Sequence, residues 1–221
     1  SVLTADSGDT DKIAEIIHEC DRMGIEVLPP DINESFADFT VVREAEAAVT
    51  DGSIRFGLTT IKNFGAGIAD AIIAEREAHG PFTSLTDLLK RVQDKNMNKK
   101  SLEALVKTGA LQKFSERGQL LANLDAMLAF NREQASGASV GQDSLFGGIE
   151  STINELQLAP ADPVSTEQKL IWERELLGVY VSGHPLDQFE AELAKRGDIT
   201  LIKQDGRNGI PVVTAGMIET V

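Results

Sequence analysis

The stretch "IKNFGAGIADAIIAER", residues 61–76, decides the fold of this chain. Its pattern predicts a short helix, a glycine-bearing turn, and a second helix that stops at Gly80-Pro81. Gly65 and Gly67 permit backbone conformations in which the turn amides and the N-terminus of the second helix face outward. Outward-facing amides at a helix N-terminus bind anions. The stretch therefore predicts an anion site, and a nucleic-acid phosphate is its natural occupant.

The same turn has two other interpretations. A dinucleotide-binding loop is disfavoured because Asp70 stands where G-x-G-x-x-G needs its third glycine, and because the preceding segment is helical rather than a strand. The second interpretation is structural, since two helices often simply meet at a glycine turn. The pattern alone leaves that interpretation open.

Further short helices are predicted on both sides of the turn. One begins at Asp9 or Thr10 and ends at Gly24, and Ser84 is expected to cap another. Gly109 is expected to end a third helix. Two more are predicted in "RGQLLANLDAMLAF" and "EQKLIWERELL". Such short helices are not stable alone and must pack on one another, so the fold class is mainly α.

A small β component is predicted near the N-terminus. The segments "FADFTVV" and "GSIRFGL" have strand character and lie on either side of Asp51-Gly52, a dipeptide typical of hairpin turns. The connecting "REAEAA" could form a helical turn instead. Before these strands, Pro29-Pro30 excludes helix and imposes an extended path.

The charge distribution favours only a local contact with nucleic acid. The 221-residue chain has a formal net charge of −14, which excludes a generally basic surface. Between Ser84 and Arg117, however, eight basic residues stand against four acidic ones. Lys99 and Lys100 lie at a helix start, where a second hairpin turn would fall in a tandem pair. A merely solvated face is the alternative, whereas phosphate contacts would be salt-sensitive and blind to sequence.

Residues 134–165 have the composition of a linker. They contain four acidic residues and four glycines but no Lys or Arg, which is too little apolar material to offset the entropy of ordering. Leu145 and Phe146 are exceptions, because they are large and apolar but lack periodic apolar partners. We expect these two side chains to bind another protein.

Several site classes are disfavoured by the sequence. Cys20 is the only cysteine and the three histidines are scattered, so no zinc spacing exists. Ser182 and His184 lie too close together in a proline-closed turn to act as nucleophile and base, and a turn between helices is the better interpretation. No signal peptide or apolar run of membrane-spanning length occurs, so the sequence predicts a cytoplasmic protein with no membrane partner.

The order of the motifs resembles a known family. The motifs are "DRMGIEVLPPDINES", "IRFGLTTIKNFGAGIADAIIAER", "GPFTSLTDLLKRV", "NKKSLEALVKTGAL", "QDSLFG" and "LLGVYVSGHPLD". Together they resemble the C family of bacterial replicative polymerases, the family of DNA polymerase III α subunits, over essentially the whole chain. The stretch "KNFGAGIADAIIAER" by itself resembles a helix-hairpin-helix motif, with Phe64 and Ile68 sealing the turn.

The resemblance implies a division into five parts, in a chain that is a fragment of a longer polymerase. It implies a small α+β end of the fingers, a tandem helix-hairpin-helix domain on duplex DNA, an acidic linker, a helical connector, and the start of a truncated OB β-barrel. These parts would span residues 1–55, 56–133, 134–165, 166–205 and 206–221. The expected DNA-binding residues are Lys62, Asn63, Gly65, Ala66, Gly67, Asn98, Lys99 and Lys100.

The resemblance also implies partners and an absent chemistry. A Gln-x-x-Leu-Phe peptide would bind the β sliding clamp, here through Gln142, Ser144, Leu145 and Phe146, and other replicase subunits would be further partners. The catalytic carboxylates and their Mg²⁺ would belong to a palm upstream, so we expect no catalytic residue, metal site or cofactor here. Two alternatives remain: a free-standing helix-hairpin-helix adaptor of repair or recombination, and a purely structural helical domain.

Overall fold

The computed structural model describes residues 10–43, 52–139 and 156–189 of the chain. These residues are mainly helical with a small three-stranded sheet. The α-helices are α1 (Thr10–Arg22), α2 (Ala66–His79), α3 (Leu85–Arg91), α4 (Lys99–Lys107), α5 (Arg117–Ala122), α6 (Leu124–Ser139) and α7 (Thr166–Leu177). The strands are β1 (Val27–Leu28), β2 (Thr40–Arg43) and β3 (Gly52–Arg55), and short 3-10 helices span Leu58–Thr60 and Asp187–Phe189.

Helices with clear local signals form as predicted. In α1, Ile13 and Cys20 are buried on one face, and the helix is followed by Gly24 with a φ of 71°. The Ser84 hydroxyl caps α3 by accepting the Asp87 N–H at 3.1 Å. Gly109, with a φ of 83°, ends the turn after α4. These three predictions are confirmed.

The sheet differs from the predicted hairpin in its connection and its extent. β2 and β3 do pair antiparallel, but Arg43 lies opposite Gly52, so Asp51-Gly52 is not the centre of a tight turn. Residues 44–51 between them lie outside the described residues. The sequence reasoning also missed β1, which pairs parallel with β3 and gives the order β1-β3-β2.

One hydrophobic core joins the sheet to the helices. Ile32 and Phe39 of the predicted fingers part belong to the same buried cluster as the side chains of α2 to α4. Hydrogen bonds reinforce the contact between the two parts. The Asn33 amide both donates to and accepts from the Phe82 backbone, at 2.9 and 2.8 Å. The expected boundary near residue 55 therefore does not separate two cores.

The predicted "RGQLLANLDAMLAF" helix is broken at Asn123, which separates α5 from α6. At this break the Asn123 side chain bonds to a distant segment. Its Nδ2 donates to the Ala159 carbonyl at 3.0 Å, and its Oδ1 accepts the Ala159 N–H at 2.9 Å. The asparagine between the two helices thus holds a distant segment.

Both ends of the predicted linker, residues 134–165, belong to the folded part of the chain. Residues 134–139 continue α6, and residues 156–165 pack along the helices. Gly118 permits the close approach of residues 156–165, because any Cβ there would collide with the Asp162 carbonyl. Leu156 and Leu158 are packed against the core, so composition alone underestimated what this segment buries. Residues 140–155 lie outside the described residues.

Residues 182–189 belong to a second compact unit that begins at Ser182. Here the His184 N–H donates to Oδ2 of Asp187 at 2.6 Å, and the Leu186 N–H donates to Nδ1 of His184 at 3.2 Å. The turn interpretation of Ser182 to Pro185 agrees with these bonds. The predicted OB strand at 206–221 lies outside the described residues.

Candidate nucleic-acid interface

The first hairpin presents a short exposed turn between two buried side chains. It runs from the 3-10 helix Leu58–Thr60 to α2, so its first helix is tighter and shorter than an α-helix. Phe64 is 5% exposed and Ile68 is fully buried, which fixes the turn to the core. The predicted site residues on either side of Phe64 are all exposed, namely Lys62, Asn63, Gly65, Ala66 and Gly67.

The turn does not depend on its glycines in the way that we predicted. Gly65 has a φ of −82° and a ψ of 153°, which any residue adopts, and Gly67 lies within α2. The left-handed conformation falls on Asn63, with a φ of 70°. Asparagine tolerates this region better than most residues. The prediction that Gly65 and Gly67 supply the special backbone conformation is therefore wrong.

The second hairpin is formed by α3, a turn, and α4. Met97 in the turn is 6% exposed, and the predicted site residues Asn98, Lys99 and Lys100 are exposed after it. Oδ1 of Asn98 accepts the N–H groups of Lys100 and Ser101 at 3.0 and 3.1 Å. The Ser101 hydroxyl in turn interacts with the Asn98 N–H at 3.0 Å, which completes a capping box.

The two turns correspond residue by residue. Lys62-Asn63-Phe64 and Lys95-Asn96-Met97 lie 33 positions apart, and each triplet ends in a buried side chain directly before the N-cap. In each, the N–H of the buried residue donates to the carbonyl three residues earlier, at 3.0 Å for Phe64 and 2.9 Å for Met97. The structure thus repeats one Lys-Asn-apolar motif with different N-cap residues, and only its first copy has a left-handed asparagine.

The two turns lie side by side. A Cβ added at Gly67 would lie 3.4 Å from Nδ2 of Asn96, so the start of α2 touches the second turn. Lys95 and Asn96 are exposed at the positions that Lys62 and Asn63 occupy in the first turn. Sequence reasoning missed Lys95 and Asn96 as candidate site residues, although the repeated Lys-Asn-apolar triplet could have revealed them.

Most of the basic island between Ser84 and Arg117 is neutralised by ion pairs. In the described residues, five of its eight basic side chains lie near carboxylates: Arg91 at Glu75 and Asp87, Lys99 at Asp125, Lys107 at Glu103, Lys113 at Glu34, and Arg117 at Glu173. Lys90 lies over the Phe130 ring. Lys95 on the second turn and Lys100 at the start of α4 are both exposed and have no ion-pair partner among the described residues. The positive charge is therefore concentrated at the turn.

Helix α7 is bonded to the first hairpin directly and to the second through Arg117. The Lys62 N–H donates to the Leu176 carbonyl at 2.9 Å. Arg117 and Glu173, 3% and 0% exposed, form a buried ion pair at 3.1 Å, and Arg117 also donates to the Lys107 carbonyl at the end of α4 at 2.9 Å. The helical connector is thus joined to the first turn and to the last residue of α4.

Other expected features lie elsewhere or are not found in the described residues. The peptide expected to bind the clamp, with Gln142, Ser144, Leu145 and Phe146, lies outside them. Within residues 10–43, 52–139 and 156–189, no group of three or more His, Cys, Asp or Glu side chains could hold a metal ion. None of the helices in these ranges is long and apolar enough to cross a membrane.

Comparison with known proteins first shows a similarity to helix-hairpin-helix proteins. Residues 24–120 match the family model of a helix-hairpin-helix motif, and this range includes both turns and the sheet. The chain is also 43% identical over 186 residues to the DNA polymerase III subunit alpha of Thermus aquaticus, and 40% identical over 192 residues to that of Borreliella burgdorferi. A third relative, from Saccharopolyspora erythraea, is 35% identical across 100% of the chain.

These matches confirm the resemblance to the DNA polymerase III α subunit that the motifs indicated. They cover 84%, 85% and 100% of this chain but only 14%, 16% and 19% of the three relatives. The chain thus spans less than a fifth of the length of the relatives it matches.

Proposed function

We propose that this chain is a non-catalytic part of a replicative DNA polymerase and that its two turns hold the phosphates of duplex DNA. The observation that carries the proposal is the repeated, exposed Lys-Asn turn before α2 and α4, with the two copies side by side. Two neighbouring turns that each expose a lysine and an asparagine suit a ligand with repeated charges. The phosphate backbone of DNA is such a ligand.

The groups on these turns suit phosphate rather than bases. They are backbone amides at the start of α2, ammonium groups of Lys62, Lys95 and Lys100, and asparagine amides. Such groups contact phosphate oxygens and carry no sequence information directly. We therefore expect binding that is insensitive to base sequence and strongly sensitive to salt.

Open space at Gly65 supports an external ligand. A Cβ added there would meet no atom of the described chain within 4 Å, and the backbone conformation is accessible to any residue. Nothing inside the described structure therefore requires glycine at this position. A glycine allows a ligand to approach the backbone closely.

A salt titration tests the DNA proposal. The chain is titrated against primer-template duplexes of two unrelated sequences, with fluorescence anisotropy as the measurement. Lys100→Gln should weaken binding to both duplexes. It should also reduce the magnitude of the negative slope of log K against log salt by about 0.9. Lys113→Gln is the matched control, because Lys113 is exposed in the same basic island but pairs with Glu34. Equal slopes for the two variants would contradict the proposal.

The polymerase activity and its parts are proposed for the parent protein. Polymerisation, the catalytic carboxylates and Mg²⁺ would belong to a palm outside this chain, which is expected to be inactive alone. The parts proposed are 1–55 as the end of the fingers, 56–133 as the hairpin domain, 166–205 as the connector and 206–221 as the start of the OB domain. The first two would share one core.

The second part of the proposal is attachment to the β sliding clamp. Gln142, Ser144, Leu145 and Phe146 would fill a pocket on the ring, because a Gln-x-x-Leu-Phe peptide of this kind is expected from the family resemblance. Burial of Leu145 and Phe146 would contribute about 1.5–3 kcal/mol each. Ordering costs reduce this, so the peptide alone should bind with a Kd on the order of micromolar.

A pull-down with purified clamp tests this attachment. Leu145→Ala with Phe146→Ala should abolish capture of the chain by the ring. Leu156→Ala is a control that changes an apolar residue packed on the core rather than the peptide. Retention of the double variant by the clamp would overturn the assignment.

A free-standing adaptor of repair or recombination is the rival function. The relatives named above are polymerase subunits several times longer than this chain, which favours a polymerase. The parent reading frame separates the two, because a polymerase requires palm carboxylates encoded upstream. An independent short reading frame would favour the adaptor.

A further inference from the structure

An ion pair lies on the face that is proposed to meet DNA. Nζ of Lys99 donates to Oδ1 and Oδ2 of Asp125 at 2.9 and 3.1 Å. Lys99 is the first residue of α4, directly after the N-cap of the second turn, and Asp125 lies in the first turn of α6. A distant element thus brings a carboxylate to an ammonium group expected to bind phosphate.

We propose that Asp125 limits DNA affinity by competing with phosphate for Lys99. This inference rests on the proposed DNA-binding function. A carboxylate and a phosphate present the same kind of oxygen acceptor to an ammonium group. A phosphate must therefore displace Asp125 or share Lys99 with it, and sharing is opposed by repulsion between the two anions.

The ion pair is dispensable for the fold. Lys99 is 59% exposed and Asp125 is 82% exposed, and ion pairs at such positions contribute little to stability. The Asp125 side chain is therefore free to exchange its partner when DNA arrives. Asparagine at position 125 would keep the shape of the side chain and remove its charge.

Lys100 provides an internal reference. It is adjacent to Lys99 and exposed, and it has no ion-pair partner among the described residues. A phosphate can reach Lys100 without displacing an internal anion. The two neighbouring lysines should therefore respond differently to the removal of Asp125.

The test measures duplex affinity and its salt dependence for variants of the whole chain. Asp125→Asn should tighten binding about two- to fivefold and steepen the salt slope by up to about 0.9. Glu175→Gln is the matched control, since it removes one exposed negative charge that has no ion-pair partner in the described residues. In the Lys99→Gln background, Asp125→Asn should have no more effect than the control.

The outcomes separate this inference from the proposal beneath it. If Asp125→Asn matches the Glu175 control, or keeps its full effect without Lys99, competition by Asp125 is overturned. If Lys100→Gln also leaves affinity and slope unchanged, the DNA site itself is wrong and the inference falls with it. Weakening by Lys100→Gln without a gain from Asp125→Asn would remove only the inference.

Discussion

The two hairpin turns share a Lys-Asn-apolar sequence pattern but offer different groups to a ligand. Before α2 the N-cap is Gly65, which has no side chain to bond the first amides of the helix. Before α4 the N-cap is Asn98, whose oxygen accepts the N–H groups of Lys100 and Ser101. The first turn thus presents uncapped backbone donors beside Lys62, whereas the second presents lysine side chains beside amides that are already bonded.

This difference shows how one turn can serve two kinds of electrostatic contact. Uncapped amides carry the positive end of the helix dipole and act over the first turn only. Ammonium groups reach further, but each loses conformational freedom when it binds. The N-terminus of α4 is therefore stabilised by its own cap, whereas the amides at the N-terminus of α2 remain available to an external ligand.

The largest expected effect tests whether the two turns are equally anchored. Phe64→Ala should lower the free energy of unfolding by about 3–5 kcal/mol and Met97→Ala by about 2–5 kcal/mol, because both side chains are buried in one core. Urea denaturation is the measurement. Met23→Ala, at a side chain 63% exposed, should cost less than about 0.5 kcal/mol. A small cost at only one of the two buried positions would break the equivalence.

An intermediate effect is expected from the N-caps. Asn98→Ala should lower the free energy of unfolding by about 0.5–2 kcal/mol, because two amides of α4 lose their acceptor. Gly65→Asn should raise it by a few tenths, about 0.3 kcal/mol, since it adds such an acceptor to α2. The added oxygen should also weaken duplex binding by occupying the amides. A stabilised Gly65→Asn chain that keeps full DNA affinity would argue against amide contacts.

The smallest effect on stability is expected at the exposed lysines of the two triplets. Lys62→Gln and Lys95→Gln should each change the free energy of unfolding by less than about 0.5 kcal/mol. Each should reduce the magnitude of the salt slope of duplex binding by about 0.9, as measured by anisotropy. Similar slopes for the two variants would support equivalent turns. An effect of Lys62 alone would restrict the site to the first turn.

Local signals made much of the fold predictable. Helix α1, the Ser84 cap and the Gly109 end follow from residues within a few positions of each other. The parallel pairing of β1 and the side-chain bonds of Asn123 involve partners far along the chain, Ile54 and Ala159. Neither partner could be identified from one sequence, because nothing local marks the pairing.

The candidate site divides in the same way. Exposure of the two turns follows from the apolar positions that bracket them, so Lys62 and Lys100 could be named from sequence. The left-handed Asn63 could not, since a glycine pair nearby was the stronger signal for a special conformation. Charge counting also failed for Arg117, which is buried against Glu173 and contributes nothing to a surface patch.

Both flanks of the proposed clamp peptide are bonded to α3 and its C-cap, with a practical consequence. On one side, Nδ2 of Asn131 donates to the carbonyls of Leu89 and Val92 at 2.8 and 2.9 Å. On the other, the Leu156 N–H donates to Oγ1 of Thr86 at 3.3 Å. A single peptide-bond cut between residues 140 and 155 should therefore leave two pieces that migrate together under native conditions.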